Sequence, residues 1–130
     1  MFNYPHMDQK KLTWIGRGIT AVITLPFLMG VFMMLSKNPQ ATEGMVKLGW
    51  PASAAGTILA LEVLSLVLYL VPQTAVLGAV VLTGYLGGAV ATHLRAGEAP
   101  TAAVIVGVLA WLGLWLREPR LRALMPLRRP

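Results

Sequence analysis

Four long apolar runs, separated by short polar segments, occupy most of this 130-residue chain. An α-helix needs about 20 apolar residues to cross the hydrocarbon core of a bilayer, which is about 30 Å thick. Charged residues make up only 12% of the sequence, whereas soluble domains carry about 25%. The sequence therefore predicts an all-α membrane protein with one membrane domain over residues 1–130. Its predicted spans lie at about 14–35, 52–71, 75–94 and 101–116.

The loops between these runs predict an up-down-up-down four-helix bundle. The turn at 72–74 has three residues and no charge, so the second and third spans must form an antiparallel hairpin. The side with this turn and both termini carries eight Lys and Arg residues, against three on the opposite side: Lys10, Lys11, Arg17, Arg117, Arg120, Arg122, Arg128 and Arg129 against Lys37, Lys47 and Arg95. The positive-inside rule then predicts that both termini are cytoplasmic, in a multi-pass protein of a bacterial-type inner (plasma) membrane.

The basic residues cluster at helix ends and in the tail 117–130, where membrane proteins carry the charges that set their orientation. The net charge of +6 therefore does not indicate a nucleic-acid partner. The expected partners are the lipid bilayer, with anionic lipid head groups at the basic tail. A soluble partner that docks on the tail is the alternative.

Several enzyme classes are excluded by what the sequence lacks. It has no cysteine, which excludes disulfides, thiolate catalysis, iron–sulfur clusters and Cys-ligated zinc. It also has no nucleotide-binding loop, no HExxH or GxSxG motif and no Ser–His–Asp set. We expect neither a metal site nor a self-contained enzyme, and the sequence identifies no catalytic residue.

Glu62 is the one acidic residue within the predicted spans. A charged residue at mid-bilayer depth costs about 2.5–3.5 kcal/mol on insertion scales and usually faces a partner or a cavity. Ser65 and Tyr69 follow at i+3 and i+7, so the three side chains share one helix face. One interpretation is a ligand-binding or proton-exchanging carboxyl. The other is an interhelical hydrogen bond or ion pair that fixes the bundle.

His93 lies at the predicted outer end of the third span, with Tyr85 and Thr92 on the same helix. These side chains line an outer pocket in one interpretation, and His93 is a surface or packing residue in the other.

The third span also carries two rows of small residues at four-residue spacing, which let helix backbones approach closely in lipid. The rows predict close packing inside the bundle or between protomers of a homo-oligomer, or else the floor of a site for a flat ligand. They consist of Ala75, Ala79, Thr83, Gly87 and Ala91, and of Gly84, Gly88 and Thr92.

Four local strings resemble the DoxX-like family of small four-helix membrane proteins: GWP at 49–51, LE at 61–62, YLVPQTAVLGA at 69–79 and TGYLGGAVATH at 83–93. The resemblance extends from Arg17 to the tail. It implies that Glu62, His93 and Tyr85 fall on the family pattern and are ligand-binding candidates. Many members carry a Lys near the end of the first span, where this chain has Met34.

The resemblance implies two classes of function. The name-giving branch looks like a membrane subunit of a thiosulfate:quinone oxidoreductase, and other relatives appear with redox-defence partners or act as membrane chaperones or cargo receptors. We therefore expect an accessory subunit or a quinone- or lipid-binding component of a membrane redox process. No redox centre is encoded in the chain, so this role requires a quinone or a redox partner protein. The alternative is a non-catalytic scaffold, chaperone or assembly factor.

Overall fold

In a computed structural model that describes residues 8–128, the chain is helical and these residues form no strand. Residues 1–7 and the last two residues of the predicted tail, among them Arg129, lie outside the described part. Short helical turns at Ala52–Ala54 and Pro72–Thr74 lead into the third and fourth helices. The six helices are α1 (Gln9–Leu35), α2 (Pro39–Lys47), α3 (Ala55–Leu70), α4 (Ala75–Arg95), α5 (Thr101–Arg117) and α6 (Pro119–Leu124).

Three helical segments among the described residues are long and apolar enough to cross a membrane: Gln9–Leu35, Ala52–Leu70 and Pro72–Arg95. Helix α5 is also apolar but has only 17 residues. Large apolar side chains project outward along α1, α3, α4 and α5, among them Leu25, Phe32, Leu64, Leu77 and Val108. Such a continuous apolar exterior is suited to lipid rather than water. The chain is therefore a multi-pass helical membrane protein.

The four long helices pack in a ring in which α1 contacts α5, α5 contacts α4, α4 contacts α3 and α3 contacts α1. Small residues lie where the helices approach most closely. Gly78 of α4 lies directly against the main chain of Leu68 and Tyr69, and Gly16 of α1 faces Gly113 of α5. A side chain at any of these glycines would push two helices apart, as expected for packing in lipid.

Of the two small-residue rows of α4, only the beginning of the first is buried inside the chain. Ala75 and Ala79 are buried. By contrast, a Cβ atom added to Gly84, Gly87 or Gly88 would meet no other atom within 4 Å. The three glycines of the two rows are therefore open to contacts from outside this chain.

On the four long helices, buried residues are confined to one half of the ring. They end at Phe27 on α1 and at Leu86 on α4, and they begin at Ser65 on α3 and at Ala110 on α5. Because neighbouring helices run in opposite directions, all four buried stretches lie at the end that contains the 72–74 turn. The remaining helix segments are half-buried or exposed. We call these segments, 28–35, 55–64, 87–95 and 101–109, the open half.

Candidate functional site

Glu62 lies where the packed half meets the open half. It is half-buried on α3, three residues before the first buried position of that helix, Ser65. The Tyr85 hydroxyl of α4 lies close to its carboxyl and is the polar group that faces it. On α1, a Cβ atom added to Gly30 would lie 3.4 Å from Glu62 Oε1. The carboxyl therefore faces inward, between three helices, rather than toward lipid.

The ring of Tyr85 is held by an aromatic neighbour. Its centroid lies 6.4 Å from that of Phe27, and the two rings are inclined at 50°. This tilted geometry is one that aromatic pairs prefer. Because Phe27 is the last buried residue of α1, the contact fixes the phenol at the edge of the core with its hydroxyl toward Glu62.

No basic side chain of residues 8–128 pairs with Glu62. The ion pairs within residues 8–128 are His93–Glu98 and Arg120–Glu118. The carboxyl therefore depends on a phenol for its polar contact. A carboxyl and a phenol together offer both hydrogen-bond donors and acceptors, so the pair can bind a ligand that carries a carbonyl or hydroxyl group.

Ser65 and Tyr69 share the helix face of Glu62 but belong to the packed core. Both are fully buried. The Ser65 hydroxyl donates to the carbonyl of Leu61 at 2.6 Å, and the Tyr69 hydroxyl donates to the carbonyl of Ala110 at 2.6 Å. The polar groups of both side chains thus have partners within the protein, and Tyr69 lies about 10 Å along the helix from Glu62.

His93 lies at the far end of α4, in the last turn of the open half. Its Nδ1 atom is 3.3 Å from Oε2 of Glu98, and both side chains are partly exposed. Eight residues separate His93 from Tyr85, which is about 12 Å along a helix. The structure therefore places His93 at the rim of the open half and Glu62 with Tyr85 at its inner limit.

Two residues of α1, Phe27 and Gly30, complete the surroundings of Glu62, and sequence reasoning did not select them. The one available signal was a glycine in a span made mostly of bulky side chains.

The neighbouring loop contains a second contact that the sequence did not suggest, in which the guanidinium of Arg95 stacks on Trp50 at 5.9 Å from the ring centroid. Lys37, the basic residue near the end of α1, is exposed. Residues 8–128 contain no group of three or more acidic or imidazole side chains placed to hold a metal ion.

Comparison with known proteins identifies the family. A model of the DoxX-like family matches residues 18–115, a segment that runs from α1 through most of α5. Glu62, Tyr85 and His93 all lie inside it. Searches of curated proteins and of solved structures find no significant match. Since the matched segment covers most of the chain, the protein belongs to the DoxX-like family.

Proposed function

We propose that the protein is a quinone-binding accessory component of a redox process in a bacterial-type inner membrane. The chain crosses the membrane four times, with α5 as the fourth span and both termini in the cytoplasm. The 17 residues of α5 extend about 25 Å. Its last turn carries Trp115, whose ring suits the interface of the bilayer. The excess of Lys and Arg on the side of the termini supports the orientation.

The observation that carries the proposal is the Glu62–Tyr85 pair at the inner limit of the open half. A quinone ring has two carbonyl oxygens that accept hydrogen bonds, and its reduced form has two hydroxyls that donate them. Tyr85 is suited to donate to the former, and Glu62 to accept from the latter. Around the pair the helices provide apolar side chains and a tyrosine ring fixed by Phe27, so the residues present fit a quinone ring.

The depth of the pair also fits a ligand that is dissolved in the membrane. Glu62 comes ten residues after Ala52, the start of its span. Ten residues of helix rise about 15 Å, which is half the thickness of a hydrocarbon core of about 30 Å. An isoprenoid tail would leave the open half sideways into lipid.

Because the chain encodes no redox centre, the quinone, the partner subunit and this protein have separate roles. A bound quinone supplies the electron-carrying chemistry, and a partner subunit supplies or removes electrons. Glu62 and Tyr85 orient the ring, and the Glu62 carboxyl holds or releases a proton at the ligand oxygen. His93 is the polar group at the outer rim.

The test is native mass spectrometry of protein extracted gently from its own membranes, with quinone quantified in the extracted fraction. We expect about one quinone per protein, lowered at least about tenfold in Glu62→Gln, because a tenfold loss needs only about 1.4 kcal/mol. Tyr85→Phe should weaken binding in the same direction. Glu43→Gln is the matched control, because Glu43 is an exposed carboxyl on α2. Unchanged occupancy in both Glu62→Gln and Tyr85→Phe would refute the proposal.

A scaffold or chaperone role is the second candidate, and it is supported by the exposed glycines of α4. Gly84 and Gly88 leave a strip of main chain open to a partner helix, and such strips promote helix association in lipid. This role predicts a bundle without bound quinone that copurifies with a second membrane protein. The association should be lost in Gly84→Leu and kept in Glu62→Gln.

A further inference from the structure

A long apolar groove lies on the outer face of the bundle, between α4 and α5. Its main part has a volume of about 490 Å³, is open along its outer side and is lined almost entirely by apolar atoms. A smaller hollow of about 170 Å³ continues it toward the tail. The two parts share Trp111 and Met125, so they form one channel along α5. Neither Glu62 nor Tyr85 lines it, which makes it separate from the site proposed above.

The groove exists because small residues form its floor. Gly87 of α4 and Gly107 of α5 both line it. A Cβ atom at Gly87 would meet nothing within 4 Å, and one at Gly107 would only touch Leu86 at 3.6 Å. The indole of Trp111 is fixed at the middle of the channel, because its Nε1 atom donates to Thr83 Oγ1 at 2.7 Å.

The chain after α5 folds back and packs beside the lower end of the groove. The indole of Trp115 donates to the carbonyl of Met125 at 2.9 Å. Arg122 Nη1 donates to the carbonyls of Trp115 and Leu116 at 3.1 and 3.0 Å. These bonds place Met125 in the wall of the groove and the arginine-rich segment beside its end.

That end of the groove carries uncompensated positive charge. Residues 117–128 contain four arginines and one glutamate. The glutamate, Glu118, pairs with Arg120 at 3.5 Å. Within residues 8–128, no carboxylate pairs with Arg117, Arg122 or Arg128. The Arg122 guanidinium lies 5.7 Å from the ring centroid of Trp115, and Trp115 itself lines the lower hollow.

We propose that this groove binds one acyl chain of an anionic phospholipid, whose head group contacts the arginines of the tail. From Ala103 to Trp115 the groove extends about 18 Å along α5. This length is slightly more than one leaflet of a hydrocarbon core that is about 30 Å thick. An apolar channel of leaflet length that ends in unpaired guanidinium groups matches a lipid with an apolar chain and a negative head group.

The test uses full-length protein incubated with equal amounts of phosphatidylglycerol and phosphatidylcholine that have the same acyl chains, followed by native mass spectrometry. We expect one retained phosphatidylglycerol in the wild type. Gly87→Leu should lower its retention at least about tenfold, the effect expected when two methylene groups are displaced from the groove. Gly107→Leu fills the floor of the groove from α5 instead of α4. It serves as the second test variant if Gly87→Leu misfolds. Gly88→Leu is the matched control, since Gly88 is equally open but lies outside the groove.

The head-group contact is tested separately. Arg128→Gln should reduce phosphatidylglycerol retention about fivefold, the effect of one basic residue near a membrane surface. Arg120→Gln should reduce it less, because Arg120 already pairs with Glu118. The same charge changes at Lys37 and at Lys47, the last residue of α2, should have no effect, because both residues lie outside the groove. Equal retention by Gly87→Leu and Gly88→Leu would overturn the groove as the site. Equal retention of the two lipids by the wild type would overturn the anionic ligand. Glu62→Gln should leave phosphatidylglycerol retention unchanged, so this result and that of the quinone experiment are independent.

Discussion

The hydroxyl of Tyr69 on α3 donates a 2.6 Å hydrogen bond to the main-chain carbonyl of Ala110 on α5, and so links two helices that are not neighbours in the ring. Tyr69 is fully buried. The guanidinium of Arg117 lies 5.3 Å from its ring centroid, a distance at which cations and aromatic rings attract each other. Tyr69 therefore ties α3 to α5 across the centre of the packed half.

Removing the Tyr69 hydroxyl should destabilise the protein only moderately. We expect Tyr69→Phe to lower the free energy of unfolding by about 0.5–1.5 kcal/mol, since one buried hydrogen bond is lost and the ring stays. Tyr69→Ala should cost about 3–5 kcal/mol, because the ring leaves a cavity. Unfolding in mixed micelles with increasing denaturing detergent, followed by circular dichroism, measures both. If Tyr69→Ala is as stable as the wild type, the core assignment of Tyr69 is wrong.

Two glycines of α4 should respond in opposite ways to the same substitution. In Gly78→Ala the new methyl group would collide with the main chain of Leu68 and Tyr69, and helix backbones cannot shift cheaply. We expect a loss of about 1–3 kcal/mol. Gly84→Ala meets nothing within 4 Å and should gain about 0.5–1 kcal/mol from helix propensity.

The thermal unfolding midpoints of the wild type and the two variants, measured side by side, test this prediction, because the same methyl group is added in each variant. A Gly78→Ala midpoint as high as that of the wild type would show that α3 and α4 do not approach each other at Gly78. A loss at Gly84 as large as that at Gly78 would instead indicate that the face containing Gly84 is covered by a second protein chain.

The helical membrane architecture was predictable from the sequence, and the family comparison confirms the resemblance to the DoxX-like family. Length and lack of charge indicate membrane spans reliably, since lipid tolerates little else. Helix ends were less predictable: α1 begins at Gln9, five residues before the predicted start, because Asp8 caps it in a polar segment that hydropathy does not mark.

The arrangement of polar residues around Glu62 was predictable only in part. The i+3 and i+7 spacing correctly places Ser65 and Tyr69 on the face of Glu62, but spacing gives no depth of burial. The Tyr85 contact depends on how α3 and α4 pack. The open half was not predictable at all, since lipid-facing and core-facing positions are equally apolar in a membrane helix and hydropathy cannot separate them.

The absence of cysteine allows a direct test of the proposed topology, because each single-cysteine variant carries one thiol. Lys37→Cys and Arg120→Cys replace exposed residues on opposite sides of the proposed membrane domain. In intact cells, a membrane-impermeant maleimide should label Lys37→Cys and spare Arg120→Cys.

Labelling of Arg120→Cys after the membrane is opened serves as the control for reactivity. Labelling of Arg120→Cys in intact cells, with protection of Lys37→Cys, would reverse the orientation. If both sites were labelled in intact cells, the number of spans between them would be even rather than odd.

Replacing Glu62 by leucine should separate a ligand-binding carboxyl from a structural one. A functional carboxyl in an apolar site commonly lowers stability, and a well-packed apolar replacement for a buried polar group is often neutral or stabilising. In the described part of the chain no cation pairs with Glu62, and its side chain faces the loosely packed half. We therefore expect Glu62→Leu to raise the free energy of unfolding by about 1 kcal/mol while quinone binding is lost. Thermal unfolding of ligand-free protein measures the first effect, and the extracted quinone measures the second. A fall in stability of 2 kcal/mol or more with quinone occupancy unchanged would assign Glu62 to the fixing of the bundle through Tyr85, as the scaffold hypothesis requires.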